Sequence, residues 1–454
     1  MDEVLARIDS ERDRSISDLK DLLRIPSVSS RPDHSADMAR AAEWLRARLE
    51  AMGLETRICE TPGHPIVYAE WLSAPGKPTV LIYGHFDVQP VEPLDEWSSD
   101  PFEPVEEGGN LIARGANDDK GQMFTHVRAV EAWLSETGSL PVNVKFLIEG
   151  EEEIGSPNLP AWLRENREMV KADVVAISDT SQFGPGYPSV CTGLRGIATF
   201  EMRVKTGQSD LHSGTFGGAV PNAIQVMTDI LASFHTPEGA VAIEGFYSDV
   251  VEPTEEERAS WARLPRSDEQ FMREAGTRSL WGEPGRTSIE RTWSRPTLEI
   301  VGVTAGHQGP GHKGIVPATA VARFSTRLVP EMDPERVVRL VQSHVAKRTP
   351  PGAEVSAVCG HGARGTLIPA DSKWVQAAKR ALAVGFGKEP VFIREGGSIP
   401  IVNLFQGELG MPCLLLGYGL PDDRIHGPNE KFSMADFQSG TRTNAALLAE
   451  LAAL

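Results

Sequence analysis

The sequence has few cysteines, no long apolar run and fewer basic than acidic residues, and each shortage excludes a class of protein. Its four cysteines are scattered and form no CxxC pair. This usage argues against a thiolate metal cage and is typical of a reducing compartment. No apolar run is long enough to cross a bilayer, so no membrane partner is expected. The charged, helical pattern of residues 2–23 is not that of a signal peptide, which predicts a cytoplasmic protein.

The balance of charges bounds the partners further. Lys and Arg total 45 against 63 Asp and Glu, a formal net charge of −18. Binding to a phosphate backbone needs a basic face, so no nucleic-acid partner is expected. A chain of 454 residues is too long for one compact core, which predicts two or three domains.

The hydrophobic periodicity indicates two kinds of domain. Helix and strand patterns alternate up to about residue 192, which predicts an α/β domain with a largely parallel sheet. Longer, alternating strands over 196–206, 297–303 and 320–328 then predict an α+β domain. Because the α/β pattern returns afterwards, the α+β domain is predicted as an insertion. The predicted bounds are 1–193 and 368–454 for the discontinuous first domain and 194–367 for the inserted one.

The predicted elements can be placed on the chain with these patterns. Predicted helices cover 2–23, 36–52, 122–134, 159–169, 222–234, 334–345, 374–387 and the segment from 434 onwards. Predicted strands of the α/β part cover 66–71, 79–83, 142–148, 174–177 and 413–416, with a hairpin over 105–113.

Four acids follow a predicted buried strand, and ordinary core patterning does not explain them. The apolar run 144–148 leads into Glu149, Glu151, Glu152 and Glu153. Neighbouring carboxylates repel by about 1–4 kcal/mol, depending on the local dielectric. The cluster is either a solvated acidic turn or the setting of a cation, and metal ions supply the most concentrated positive charge.

Further candidate ligands lie elsewhere in the chain. His85 and Asp87 follow a predicted strand, where residues i and i+2 point the same way, so that Asp87 can orient the His85 ring toward a metal. Asp118, with Asp119 beside it, lies in a glycine-bounded loop, and His426 lies in a loop near the end of the chain. The alternatives are a hydrogen-bonded histidine at a strand end, a helix cap and a loop histidine.

The candidates share a position in the predicted sheet. His85, the pair 152–153 and Asp179 all follow predicted strands, and the carboxyl ends of strands are where sites form in an open α/β sheet. Histidines and carboxylates without sulfur fit a paired Zn²⁺ or Mn²⁺ site.

Taken together, these residues resemble those of a known family. The sequence is similar to the M20 metallopeptidases, and within them to the dipeptidase branch of cytosolic nonspecific dipeptidases and carnosinase-like enzymes. The resemblance covers nearly the whole chain. The segments that carry it occur in the family's order and are YGHFDVQP, WSSDPF, RGANDDKGQ, EGEEEIGS, DLHSGTFGG and TRLVPEM.

The resemblance implies a zinc-exopeptidase-type catalytic domain, interrupted by an α+β lid and dimerisation domain that forms a homodimer. It also implies two divalent cations per subunit, Zn²⁺ in first place and Mn²⁺ as the alternative. His85 and Asp179 would hold one cation, Glu153 and His426 the other, and Asp118 would bridge them, with a cis peptide after it.

The resemblance further implies the reaction, hydrolysis of dipeptides or short peptides that have a free C-terminal carboxylate. Asp87 would orient His85. Glu152 would take a proton from a water shared by the two cations and return it to the leaving amine. His212 matches a lid histidine that donates to the oxyanion in the partner subunit's active site.

Substrate recognition is assigned by the same resemblance. Arg327 matches an arginine that binds the substrate carboxylate, for which a guanidinium fork is suited. The alternative is a surface arginine paired with Glu331 or Glu335. Gly397 and Ser398 match a loop that would contribute backbone and hydroxyl contacts to the same carboxylate.

Three other functions stay open. An amidohydrolase of N-acyl amino acids, such as a deacylase or desuccinylase, would use the same fold. A binuclear phosphoesterase would need several Arg or Lys near the site, and a non-catalytic binding relative would have lost a base or a ligand.

Overall fold

In the computed structural model, which describes residues 1–397 and 400–454, the chain divides into two compact units. The first unit is discontinuous and is made of Met1–Thr192, Ile368–Ile393 and Leu404–Leu454. The second unit is made of Gly193–Leu367 and Arg394–Asn403.

The first unit contains a mixed α/β sheet, which confirms the predicted fold class. Four neighbouring strands at its centre run parallel, and antiparallel strands flank them on both sides. In their order across the nine-stranded sheet, the strands are Glu55–Cys59, Ile66–Trp71, Asn143–Glu149, Thr79–His85, Val174–Ile177, Cys413–Gly417, Ser189–Leu194 and Thr366–Leu367. The ninth strand, Val391–Glu395, also pairs with Ser189–Leu194.

The central strands are almost entirely buried, as expected for parallel strands covered on both faces. The α-helices of this unit are Asp2–Ser10, Arg12–Leu23, Ser35–Ala51, Lys120–Thr137, Leu159–Glu165, Arg167–Val170, Lys373–Phe386 and Met434–Ala452. Shorter turns are the 3₁₀ helices Pro32–His34, Leu94–Glu96 and Glu152–Ile154 and the π-helical turn Leu404–Glu408.

A small sheet at residues 105–112 contains the predicted hairpin. Its strands are Val105–Glu107 and Asn110–Ile112, joined through Gly108 and Gly109, whose φ angles are +59° and +84°. Glycine adopts these left-handed conformations without a steric penalty. Lys431–Ser433 adds a third strand to the hairpin.

The second unit is built on a four-stranded antiparallel sheet. Its core includes Phe200, whose ring stacks on Phe324 with 4.9 Å between centroids, and Phe234, 5.0 Å from Phe324. In order, the strands are Thr297–Ala305, Thr319–Leu328, Gly196–Lys205 and Glu354–Ala363. The remaining elements are the helices Ser213–Phe216, Ala223–Ala232, Glu255–Trp261, Asp268–Glu274, Ser288–Trp293, Pro334–Arg348 and Pro400–Asn403, the paired strands Leu211–His212 and Ile315–Val316, and Thr366–Leu367.

Most predicted elements occur within a few residues of their expected bounds, but two helices are divided and several elements were not predicted. The single helix expected over 2–23 is divided at Glu11, and the one expected over 159–169 is divided at Asn166. The strands Glu55–Cys59, Ser189–Leu194 and Glu354–Ala363 lie where no element is predicted. Three helices of the second unit lie in 235–296, where no element is predicted. Each begins with a capping box, at Thr254, Ser267 and Thr287, in which the N-cap and third-residue side chains bond each other's backbone N–H groups. These short helices lack a sustained apolar period, so only their caps could have indicated them.

Among the described residues, none of the helices combines the length and apolar character that crossing a lipid bilayer requires. Cys191 and Cys413 are buried, and Cys59 and Cys359 are half-buried.

Candidate metal centre

Three parallel strands end at one edge of the first unit's sheet. His85 is the last residue of Thr79–His85 and lies opposite Glu149, the last residue of the neighbouring strand. Asp179 follows the end of the strand on the other side, Val174–Ile177, by two residues. Side chains distant in sequence therefore meet here, as expected at the carboxyl ends of parallel strands.

One group of possible ligands forms around His85. Its Nε2 atom lies 3.2 Å from Oδ1 of Asp118 and 3.9 Å from Oδ2 of Asp179. The ring is fully buried, and Asp118 is buried as well. These three side chains could together hold one cation.

A second group forms around His426 and shares Asp118 with the first. The Nε2 atom of His426 lies 2.9 Å from Oδ2 of Asp118 and 3.3 Å from Oε2 of Glu153. Asp118 therefore presents one carboxylate oxygen to each group. A carboxylate in this position can bridge two cations.

The hydrogen bonding of His85 fits a cation at Nε2. Its Nδ1–H donates to the backbone oxygen of Asp87 at 3.1 Å, because a carbonyl can only accept. The buried Nε2 has no hydrogen-bond partner and faces two carboxylates. In the neutral ring this nitrogen presents a lone pair to negative charge, an arrangement that is favourable only with a cation between them.

Asp87 connects the His85 group to the acidic turn. Its carboxylate lies 3.4 Å from Nδ1 of His85, and it also accepts the backbone N–H groups of Glu152 and Glu153 at 3.2 and 3.0 Å. The carboxylate thus holds the 3₁₀ turn that presents both glutamates. Sequence reasoning predicted its role toward His85 and missed its role toward the turn.

The acidic side chains have strongly shifted pKa values. Burial, with Asp118 and Glu153 adding repulsion, raises the pKa of Glu152 to about 7. Burial and the charge of Asp118 raise the pKa of Asp179 well above its ordinary value. A carboxyl group whose pKa lies near neutrality is suited to moving a proton in a reaction.

The pKa values of the two histidines are raised by neighbouring carboxylates rather than by burial. Burial would lower the pKa of His85, but the nearby carboxylates of Asp118 and Asp87 raise it well above the ordinary value. Hydrogen bonds with Asp118 and Glu153 raise the pKa of His426 to about 10. In the absence of cations these raised pKa values favour the protonated rings, which supply positive charge beside the carboxylates.

The capping alternative does not describe the loop before helix Lys120–Thr137. Asp119 occupies the N-cap position, yet its side chain makes no capping hydrogen bond. Its Oδ2 accepts the backbone N–H of His85 instead, at 3.2 Å. A Cβ atom at Gly84 would lie 2.8 Å from this oxygen, so the close approach needs glycine there. The Asp118–Asp119 peptide bond is cis.

Sequence reasoning missed several residues that support the acidic turn. Gln89 donates to Oε2 of Glu153 at 2.7 Å. The buried Glu149 accepts hydrogen bonds from the hydroxyls of Tyr83 and Ser156. Glu151 accepts from Asn158, whose amide reaches both of its oxygens, and from the backbone of His64.

The other predicted site residues lie in the second unit. His212 is exposed, and its Nδ1 accepts the backbone N–H of Gly214 at 3.1 Å. Arg327 is half-buried on the strand Thr319–Leu328, and Gly397 is exposed. Ser398 lies outside the described residues.

The alternative pairing of Arg327 finds no support. Glu335 pairs with Arg339, at 3.9 Å. Among residues 1–397 and 400–454, Arg327 forms no ion pair with Glu331 or Glu335.

Comparison with known proteins gives one family match over most of the chain. The sequence model of peptidase family M20/M25/M40 matches residues 81–450. A curated relative, the Cys-Gly metallodipeptidase dug1 of Schizosaccharomyces pombe, is 33% identical over 471 residues, which cover 100% of this chain and 99% of that protein.

Two solved structures are similar over their full length. The crystal structure of human carnosine dipeptidase 1 has a TM-score of 0.84 and 31% identity, covering 100% of this chain and 99% of that one. The M20 family metallo-carboxypeptidase Sso-CP2 from Sulfolobus solfataricus has a TM-score of 0.83 and 32% identity, covering 97% and 99% of the two chains.

We expect divalent cations to displace protons from this centre. Because the pKa values of His85 and His426 are raised in the cation-free protein, binding at pH 7 should release protons, and affinity should fall as the pH is lowered. Calorimetric titration with Zn²⁺ in buffers of different ionisation enthalpy measures the number released. His426→Gln should release fewer protons, and His307→Gln, at an exposed histidine of the second unit, should release the wild-type number. Heats independent of the buffer would contradict the raised histidine pKa values.

Proposed function

Because this chain belongs to peptidase family M20/M25/M40, we propose that it is a binuclear metal-dependent dipeptidase. Its reaction is hydrolysis of the peptide bond in dipeptides or short peptides that have a free C-terminal carboxylate. The observation that carries the proposal is Asp118, whose two oxygens face two separate groups of ligands. Several relatives that cover all of this chain are dipeptidases by name, and another, covering 97% of it, is a metallo-carboxypeptidase.

The donor set fits two divalent cations. Asp118 serves both, with His85 and Asp179 on one side and Glu153 and His426 on the other. Imidazole and carboxylate donors without sulfur suit Zn²⁺, which we favour, and also Mn²⁺. When bound, such ions lower the pKa of water and polarise a carbonyl group.

Glu152 is the general base of the proposed reaction. Its carboxylate takes the proton of the attacking water and then returns it to the amine that leaves. The Asp87 carboxylate holds the backbone of Glu152 and so fixes where this proton is received. A pKa of about 7 lets the group both accept and donate a proton near neutrality.

His212 is suited to donate a hydrogen bond to the developing oxyanion. Its Nδ1 accepts the N–H of Gly214, so the neutral ring carries its proton on Nε2. The side chain is exposed in its own chain, which leaves this N–H available to a second subunit. We propose that it completes the active site of the partner in a homodimer.

The second unit offers an edge through which two subunits could associate. The strand Thr297–Ala305 lies at one edge of its sheet and exposes Ile300, Val301 and Val303 by 44%, 70% and 51%. An unpaired edge with apolar side chains favours pairing with another chain. We therefore propose that this unit, predicted as residues 194–367, is the lid and dimerisation domain.

Arg327 is proposed to bind the substrate carboxylate, together with the loop at Gly397 and Ser398. Arg195, in the same unit, supports this site. Its Nε donates to the backbone oxygen of Gly396 at 3.4 Å. Burial and the nearby charge of Arg327 lower the pKa of Arg195 to about 10. Two arginines that repel each other, one of them bonded to this loop, favour an anionic ligand.

Other functions have less support. An amidohydrolase of N-acyl amino acids would use the same ligands, and only the substrate separates it from a dipeptidase. A non-catalytic relative would lack a base or a ligand, yet each predicted position carries a suitable side chain. For the compartment we propose the cytoplasm, on the scattered cysteines alone.

A substrate panel tests the proposed reaction. We expect the Zn²⁺- or Mn²⁺-loaded protein to cleave dipeptides such as Cys-Gly and β-Ala-His, and amidation of their C-terminal carboxylate to remove most turnover, because Arg327 loses its anionic partner. The same assay includes tripeptides, N-acetyl amino acids and N-succinyl amino acids. Turnover restricted to the N-acyl compounds would show that the protein is an amidohydrolase and not a dipeptidase.

Removal of the base should separate catalysis from metal binding. We expect Glu152→Gln to lower kcat by about 10²–10⁴-fold, because the amide cannot accept the proton of water. Metal content, measured by elemental analysis, should be unchanged. Glu151→Gln is the matched control, since it changes a neighbouring acid whose Oε1 bonds with Asn158 and the backbone of His64 the amide oxygen can keep, and it should retain most activity. Full activity of Glu152→Gln would refute the assignment.

Mixed dimers test the position of His212. His212→Ala should impair turnover on its own because the oxyanion loses a donor. Dimers of a His212→Ala subunit with a Glu152→Gln subunit should regain one active site, since each subunit supplies what the other lacks. Differently tagged subunits purified in tandem allow the activity per mixed dimer to be measured. No recovery would show that His212 does not act across the interface.

A further inference from the structure

Two buried carboxylates lie on the segment that carries His426. Asp423 is 1% exposed and Glu430 is fully buried, and neither belongs to the two candidate ligand groups. Buried carboxylates need compensating donors, because removal of a charge from water is costly. The loop that carries Asp118 supplies the donors of Glu430 and one donor of Asp423.

Glu430 accepts four hydrogen bonds from that loop. Its Oε2 accepts from Nη1 of Arg114 at 2.7 Å and from the backbone N–H of Gly115 at 3.1 Å. Its Oε1 accepts from the backbone N–H groups of Asn117 and Asp118, both at 3.0 Å. One carboxylate therefore holds the backbone of 114–118, including the residue whose side chain faces both ligand groups.

Asp423 ties the same loop to the His426 segment at a second point. Its Oδ2 accepts from Nδ2 of Asn117 at 2.9 Å and from the backbone N–H of Leu420 at 2.7 Å. Its Oδ1 accepts from Nζ of Lys431 at 2.7 Å. The segment is thus braced on either side of His426.

The two ligand groups depend differently on this bracing. In the first group, strands of the central sheet position His85 and Asp179, and only Asp118 comes from the braced loop. The second group takes both Asp118 and His426 from segments that Glu430 joins. Displacement of the loop should therefore affect the second group more than the first.

From this geometry we propose that Glu430 is a positioning residue of the metal centre, which holds Asp118 in register with His426 so that both cation sites can be filled. The inference rests on the proposed binuclear centre. Glu430 touches neither substrate nor cation and acts only through the backbone of Asp118. Such outer partners typically change metal affinity by about 10–100-fold.

The test is a calorimetric titration of the full-length protein with Zn²⁺ alone, without substrate, in the presence of a competing chelator. We expect wild type to bind two equivalents. In Glu430→Gln one oxygen becomes an NH₂ that faces N–H donors, and Arg114 loses its charged partner. The weaker of the two Zn²⁺ affinities should fall by at least about tenfold and the stronger one by less. Titration with Co²⁺, followed by visible absorption, should show a changed spectrum for the second equivalent only.

Glu131→Gln is the matched control. Glu131 is also a buried carboxylate of the first unit and accepts from Arg14, Arg48 and Arg128, away from both ligand groups. It should lose stability in urea unfolding while keeping both Zn²⁺ affinities. Glu430→Asp keeps the negative charge beside Arg114 but withdraws its oxygens from the loop. Glu430→Asp should also lower the Zn²⁺ affinity of the second site, and it is the variant to measure if Glu430→Gln does not fold.

The outcomes separate this inference from the proposed function. Wild-type affinities at both sites in a folded Glu430 variant would overturn the positioning role and leave the binuclear centre intact. An equal loss in Glu131→Gln would also overturn it, because general destabilisation would then explain the effect. If wild type bound fewer than two Zn²⁺ ions, the binuclear centre itself would fail.

Discussion

Repulsion among carboxylates gathered in a space with little water is the constraint on which this centre depends. Asp118, Asp179, Glu152 and Glu153 converge at one edge of the sheet, where burial raises the pKa of Glu152 and Asp179. Such a cluster is stable only if positive charge is supplied. In the absence of cations the raised pKa values of His85 and His426 favour protonated rings, which would supply it. Two divalent cations would supply it better, and they would free the rings of those protons.

The scaffold holds the cluster together with backbone N–H groups more than with side chains. Asp87 accepts two from the acidic turn, Asp119 accepts one from the strand end, and Glu430 accepts three from the loop. Backbone donors fix a position without adding charge that would compete with a cation. The metal centre and its support are therefore one hydrogen-bonded network that links three distant parts of the chain.

In the proposed enzyme, the second unit would supply groups that a centre of acids and two histidines lacks. His212 would donate a hydrogen bond, and Arg327 and Arg195 would provide positive charge for a substrate carboxylate. In the proposed enzyme, substrate binding would bring the two sets of charges into one reaction.

The sequence alone determined the elements and the chemical character of the site. The periods of apolar residues are local, so the strand Val174–Ile177 and the helix ending the chain could be predicted, and the motifs indicated the ligand types. The three capped helices of 235–296 were not predicted, because only their caps mark them in the sequence and they have no apolar period. The resemblance already implied that Asp118 lies between two groups of ligands, and only the tertiary structure decided that Glu430 holds its backbone. Those contacts join segments hundreds of residues apart, and no local pattern encodes which buried acid accepts which distant N–H.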